Sequence, residues 1–178
     1  YFKQEPLIVT PDINLGIEIC YETPLTLGVD RIVNAAAAFE KYPGSLIVID
    51  FGTATTFDYV SARGQYEGGA IAPGITMVRD ALAQRTSQLP QVELEWPGRV
   101  VGKNTVESMQ SGILAGYVSM VDGMVERMRQ ETGDDPYVVA TGGLAWLVSK
   151  HSRSINTIDQ DLTLEGLRII FEKNRKTV

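Results

Sequence analysis

The chain is poor in the residues that most often advertise chemistry: 178 residues include one cysteine, Cys20, and one histidine, His151. A single thiol cannot close an internal disulfide, so the fold rests on its core, and a reducing compartment such as the cytoplasm fits best. Cys20 lies in the strand-like run GIEICYE, where it reads as a small buried hydrophobe rather than a reactive thiol. His151 sits among Lys150, Ser152 and Arg153 near an expected helix end, with no second His or Cys at ligand spacing. That argues against a zinc site and leaves a solvated surface histidine. Long apolar runs are lacking too: nothing approaches the roughly 20 residues needed to cross a bilayer, and no signal-peptide pattern opens the chain. Nor is there an excess of basic charge, since 16 Lys and Arg against 22 Asp and Glu give a formal net charge of -6. Nucleic acid and anionic membrane surfaces are therefore poor partners, and any phosphate site must work through local donors and cations.

What is present suits a packed α/β domain. Hydrophobic residues make up 44% of the chain, ample for a core at this length. Pro6 to Thr10 and Gly16 to Glu22 read as two strands, the second placing Ile17, Ile19 and Tyr21 on one face. From Asp30 to Lys41 apolar and small residues recur at helical spacing, until Pro43 and Gly44 stop the run. Ser45 to Asp50, Thr55 to Val60 and Tyr66 to Ile71 read as a strand meander, after which Pro73 stands near the first turn of a helix to about Thr86. Leu89 to Gly102 reads as an irregular loop anchored by Trp96. A long helix opens with Asn104 and Glu107 in capping-box spacing and carries Val106, Met109, Ile113, Tyr117, Met120, Met124 and Met128. Its companion stripe of Ser108, Gly112, Gly116, Ser119 and Gly123 admits a neighbouring backbone at close range. Tyr137 to Ala140 reads as a strand, followed by a short helix to Lys150, a strand from Ile155 to Ile158 and a closing helix from Thr163 to Lys173. Strands that meander before handing over to helices argue against a simple Rossmann alternation.

The densest stretch is SLIVIDFGTATTFD, Ser45 to Asp58. A strand ends on Asp50, then come Gly52, Thr53, Thr55 and Thr56. Glycine lets the backbone take φ > 0 and approach a ligand, successive N–H groups make an anion-binding concavity, and threonine hydroxyls add donors. Asp50 can hold the cation that accompanies phosphates. A hairpin in which Gly and Thr serve only geometry accounts for the same residues. Upstream, GVDR (Gly28 to Arg31) sets a carboxylate beside a guanidinium at a helix mouth. Asp30 can accept a proton from a hydroxyl, and Arg31 can bind a carboxylate or phosphoryl group. Equally, Asp30 can simply complement the helix dipole while Arg31 pairs with a surface acid. Thr105 stands where a long helix offers unpaired N–H groups to an anion, and the glycines of Thr141-Gly142-Gly143 serve either close packing or a nucleotide.

In order and spacing, GVDR, IDFGTATTFD, GGAIAPG, GKNT and ATGG resemble the type III pantothenate kinases of the actin, sugar kinase and Hsp70 superfamily, from about Tyr21 to the last helix. The resemblance implies an actin-like ATPase (ribonuclease H-like) fold, a mixed sheet with helices on both faces. It also implies transfer of the γ-phosphoryl group of ATP to pantothenate, giving 4'-phosphopantothenate for coenzyme A biosynthesis. On the same resemblance, Asp30 matches the general base, and Tyr21, Gly28, Val29, Asp30, Arg31 and Thr105 match contacts to pantothenate. Asp50 matches the ligand of a monovalent cation, K⁺ or NH₄⁺, while Gly52, Thr53, Gly142 and Gly143 line an ATP that brings Mg²⁺. A cytoplasmic homodimer is implied, with no nucleic acid and no membrane partner. Family members open on an Asp-x-Gly-Asn-Thr phosphate motif; the only similar motif here is at Asp50, and its position after GVDR makes it the second. Residues 1–44 are therefore expected to be the remainder of an N-terminal subdomain, and 45–178 a C-terminal actin-like subdomain with the second phosphate motif. On that expectation the first nucleotide-binding strand and loop are missing, and the chain alone has negligible kinase activity. A non-catalytic regulator of the Bvg accessory factor type is the alternative, disfavoured by the retention of Asp30 and both threonines. A small sugar kinase is disfavoured by the GVDR spacing.

Overall fold

Alternation along the central strands decides the layering. In the computed structural model, which describes residues 6–175, strand β2 (Leu46–Phe51) sends Ile47, Ile49 and Phe51 into one apolar cluster and Leu46 and Val48 into another. A strand covered on both faces needs a continuous apolar run, which LIVIDF supplies up to Asp50. Strands β3 (Ala54–Val60) and β4 (Gln65–Pro73) continue from β2 as an antiparallel meander. On the other side of β2, strand β5 (Tyr137–Thr141) pairs in parallel and is followed by β6 (Thr157–Ile158). Strand β1 (Glu18–Ile19) pairs in parallel with β4, completing the order β1-β4-β3-β2-β5-β6.

Helices cover both faces. Helices α1 (Val29–Lys41) and α6 (Leu162–Asn174) bury Ile32, Ala36, Leu162 and Ile170 beside Leu46 and Val48. The opposite layer holds α2 (Ile75–Arg85), α3 (Thr105–Gln110), α4 (Gly116–Thr132) and α5 (Ala145–Ser149). This is the mixed sheet, helices on both faces, of an actin-like ATPase fold. No helix of the described residues is long and apolar enough to cross a membrane.

Several elements differ from expectation. Pro6 to Thr10 forms no strand: proline gives no ladder donor, and Leu7 and Ile8 stay exposed rather than pairing. The second predicted strand shrinks to Glu18–Ile19, though Cys20 N–H still donates to Tyr66 O at 2.9 Å. Its alternation is as expected, with Ile17, Ile19 and Tyr21 against the core. That same alternation turns Cys20 outward beside Glu18, so the thiol is exposed and not a buried hydrophobe. Pro73 ends β4 instead of opening α2, which Gly74 caps. The long helix is interrupted by a π turn, Ser111–Ala115, between α3 and α4. Asn104 caps α3 as expected, accepting from Glu107 N–H at 2.9 Å. Exposed His151 lies flat on Trp96, ring centroids 3.5 Å apart.

Candidate active site

Helix α1 starts beside the end of β2, which brings the first carboxylate to the second. Asp30 is exposed in the first turn, and its Oδ1 accepts from the Arg31 N–H at 2.9 Å. Residues four apart share a helix face, and Asn34, one turn on from Asp30, is buried. Its amide Nδ2 donates to Asp50 Oδ2 at 3.0 Å, and its carbonyl accepts from Thr163 Oγ1 at 2.7 Å. Sequence reasoning missed Asn34. The available signal was an amide inside an alanine-rich helical run, four residues past Asp30.

Asp50 is half-buried, and burial pushes its carboxyl above the usual range. The Asn34 amide opposes this, while Asp30 and Asp58 reinforce it by repulsion. Its Oδ1 is turned toward the Thr141-Gly142-Gly143 turn: a Cβ on Gly142 would lie 2.5 Å from that oxygen and 2.7 Å from Phe51 N. Gly142 has a φ of 91°, so both backbone and space require glycine there. The expected left-handed φ at Gly52 is not found among the positive-φ glycines, and a Cβ there would meet Ala54 O only at 3.5 Å. The turn is held instead by Gly52 N–H to Ala54 O and Gly74 N–H to Thr53 O, both 3.1 Å. Of the three threonines, Thr53 alone is exposed at the tip. Thr55 is buried against the Tyr117 hydroxyl, and Thr56 donates to Asp58 Oδ2 at 3.1 Å.

Arg31 turns inward. Its Nε and Nη2 lie 2.8 and 2.6 Å from Asp58 Oδ1, so its acid partner is buried rather than on the surface. The Tyr66 hydroxyl donates to the same oxygen at 2.5 Å. Burial works against the Arg31 charge, but Asp58 more than offsets it and the guanidinium pKa rises. Burial also pushes the Asp58 carboxyl up, against the pull of Arg31, Tyr66 and Thr56. The Tyr21 ring meets that of Tyr66 edge-on, with centroids 6.1 Å apart. Gly28 caps α1 close to the Asp30 carboxylate, where a Cβ would come within 2.6 Å of Oδ1. Tyr21, Gly28, Asp30 and Arg31 thus share one corner, while Val29 points to solvent. Thr105 heads α3 and is exposed, as is Gly143; no hydrogen bond among the described residues ties either to this corner.

The donor set suits a cation shared with phosphates. Among the described residues no group of three His, Cys, Asp or Glu side chains could hold a metal ion alone. Asp50 offers one carboxylate oxygen toward the glycine turn while Asn34 holds the other. Hard cations bound through one or two carboxylates complete their shells with substrate phosphates and water.

A family model described as type III pantothenate kinase matches residues 1–127. A type III pantothenate kinase of Syntrophotalea carbinolica is 57% identical over 98% of this chain and 69% of its own length. One from Geobacter sulfurreducens is 53% identical over 99% of this chain and 69% of its own length. Among solved structures, a conserved Baf family transcriptional activator of Campylobacter jejuni aligns at TM-score 0.60 and 23% identity, covering 84% of this chain and 65% of that one. A 2-dehydro-3-deoxygalactonokinase protein of Sinorhizobium meliloti aligns at TM-score 0.53 and 14% identity, covering 81% and 58%. These two likenesses bear on the fold alone.

Proposed function

The chain belongs to the type III pantothenate kinase family, and from that premise we propose that two carboxylates divide the work of phosphoryl transfer from ATP to pantothenate. Asp30 is the general base, taking the proton of the primary hydroxyl as its oxygen bonds to the γ-phosphorus. The bond to the β–γ bridging oxygen breaks, giving ADP and 4'-phosphopantothenate. Asp50 is the ligand of a monovalent cation, K⁺ or NH₄⁺, which with Mg²⁺ offsets phosphate charge when bound. Tyr21, Gly28, Val29, Arg31 and Thr105 contact pantothenate in this reading, and Gly52, Thr53, Gly142 and Gly143 contact the nucleotide.

The observation that carries the assignment is the Asn34 bridge. Asp30 and Asn34 share one side of α1, and the Asn34 amide ends on Asp50 at 3.0 Å. The proposed base and cation ligand are therefore set by one rigid element, the arrangement that positioning catalysis requires. Exposure of Asp30 suits a group that must meet its substrate. The reading includes a cytoplasmic homodimer, for which the small-residue face of α3 and α4 is open: a Cβ at Gly112, Gly116 or Gly123 would meet nothing within 4 Å.

The test is Asp30→Asn in the intact enzyme. Loss of a general base should lower kcat by about 10²–10⁴-fold. The urea midpoint should hold, because the side chain is exposed. A variant that keeps wild-type kcat removes Asp30 from the role.

A further inference from the structure

We propose that Asp58 is the positioning residue of the acceptor pocket, its buried carboxylate setting Arg31 directly and Tyr21 through Tyr66. The proposal rests on the reading of Arg31 and Tyr21 as pantothenate contacts.

Asp58 occupies the middle of β3, opposite Val48 of β2 and Gly69 of β4, on the face covered by α1. Its neighbours there include Leu46, Val48 and Val60, all fully buried and apolar. An apolar pair in place of both Asp58 and Arg31 would serve the fold about as well, since a buried ion pair is often replaceable by packed hydrophobes without loss. A carboxylate in that place has something else to hold. Its Oδ1 receives Arg31 Nε, Arg31 Nη2 and the Tyr66 hydroxyl, and its Oδ2 receives the Thr56 hydroxyl.

The consequences reach the pocket along two paths. Asp58 occupies one edge of the guanidinium, leaving Nη1 as the nitrogen it does not use. It also holds the cation away from Asp30, the neighbouring carboxylate in the chain. A guanidinium deprived of Asp58 would turn to Asp30 and tie up the proposed base. The second path is the Tyr66 ring, pinned by its hydroxyl and fully buried, which forms the wall for Tyr21 at 6.1 Å and 72°. Asp58 is 1% exposed and acts only through these residues.

The experiment uses Asp58→Asn and Tyr66→Phe in the intact kinase, with calorimetric titration of pantothenate, KM for both substrates and thermal melting. Asn keeps the size of the side chain and discharges the pair. Phe removes one hydroxyl and leaves the pair intact. Pantothenate affinity should fall by about tenfold or more in Asp58→Asn and about threefold in Tyr66→Phe, while KM for ATP stays within about twofold. Wild-type pantothenate affinity in folded variants would overturn the proposal, as would a parallel rise in both KM values, the mark of general loosening. Should Asp58→Asn fail to fold, Tyr66→Phe decides alone, because its ion pair survives. Failure of the wild-type protein to bind pantothenate would instead sink the functional reading, and this proposal with it.

Discussion

Replacing Asn34 by alanine breaks a side chain that joins α1, α6 and the end of β2. The amide donates to Asp50 and the carbonyl accepts from Thr163, at 3.0 and 2.7 Å, and the residue is 1% exposed. A hydrogen bond to a charged group contributes about 1.5–3 kcal/mol and a neutral one about 0.5–1.5. Asp50 is only half-buried, so water can partly replace the first, and its lower end applies. Summed, Asn34→Ala should cost about 2–3 kcal/mol of the roughly 5–15 that a domain possesses. Thr163→Val removes only the neutral bond and should cost about 1 kcal/mol. In the double variant the Thr163 loss is already counted, so the total should fall short of the sum by about 1 kcal/mol. Urea unfolding of the four proteins measures all three figures. In the intact enzyme, Asn34→Ala should also raise the cation concentration needed for half-maximal activity, because nothing fixes the Asp50 carboxylate. A cost under about 0.5 kcal/mol, or strict additivity with Thr163→Val, would refute the bridge.

Two further outcomes follow from the same geometry. Gly142→Ala must place a Cβ at a φ of 91° and 2.7 Å from the Phe51 backbone, so a loss of about 2–4 kcal/mol and weaker ATP binding are expected; wild-type melting would refute the packing. Asp159 lies 2.5 Å from Lys41 Nζ and 3.0 Å from the Tyr42 hydroxyl. Burial pushes its carboxyl up, but these two donors prevail and hold it below its ordinary 3.8. A depressed folded pKa gives stability that is present above 3.8 and lost as pH falls through the lower, folded value. Asp159→Asn should therefore cost about 1 kcal/mol at pH 7 and progressively less below pH 4, by denaturant unfolding; a pH-independent cost would refute the assignment.

The residues legible in the sequence are those whose role is local. Asp30 follows a glycine cap, Asp50 ends an apolar run, and Gly142 breaks a strand, each marked by its immediate neighbours. Asp58 and Tyr66 have no such mark, and the mark of Asn34, an amide inside an alanine-rich run, does not name its partners. Their partners lie across the fold: Asn34 to Asp50 spans 16 residues, Arg31 to Asp58 spans 27, and Thr163 to Asn34 spans 129. Only strand register and helix placement bring them together, and neither is encoded by a short motif. Cys20 is a different case: the alternation that puts Ile17, Ile19 and Tyr21 on the core face places it on the other, beside Glu18, and the general tendency of cysteine to be buried does not hold there.

Strand parity now explains why the threonine turn carries fewer ligand groups than its composition suggests. In β3, Thr56 and Asp58 lie on the face of α1 with Asp50 opposite Thr56, while Thr55, Phe57 and Tyr59 lie on the other face. Thr55 is therefore committed to Tyr117 and the second helical layer, not to a phosphate. The polar side chains on the α1 face form two short chains that both start on that helix: Asn34 to Asp50, and Arg31 to Asp58 to Tyr66. Each ends at a different proposed ligand, cation and nucleotide for the first, pantothenate for the second. Rotation of α1 would disturb both at once, whereas loss of either carboxylate should disturb chiefly its own chain, Asp58 reaching Asp50 only by charge repulsion. That separation makes the selective KM effects expected for Asp58 and the cation effect expected for Asn34 independent tests of one architecture.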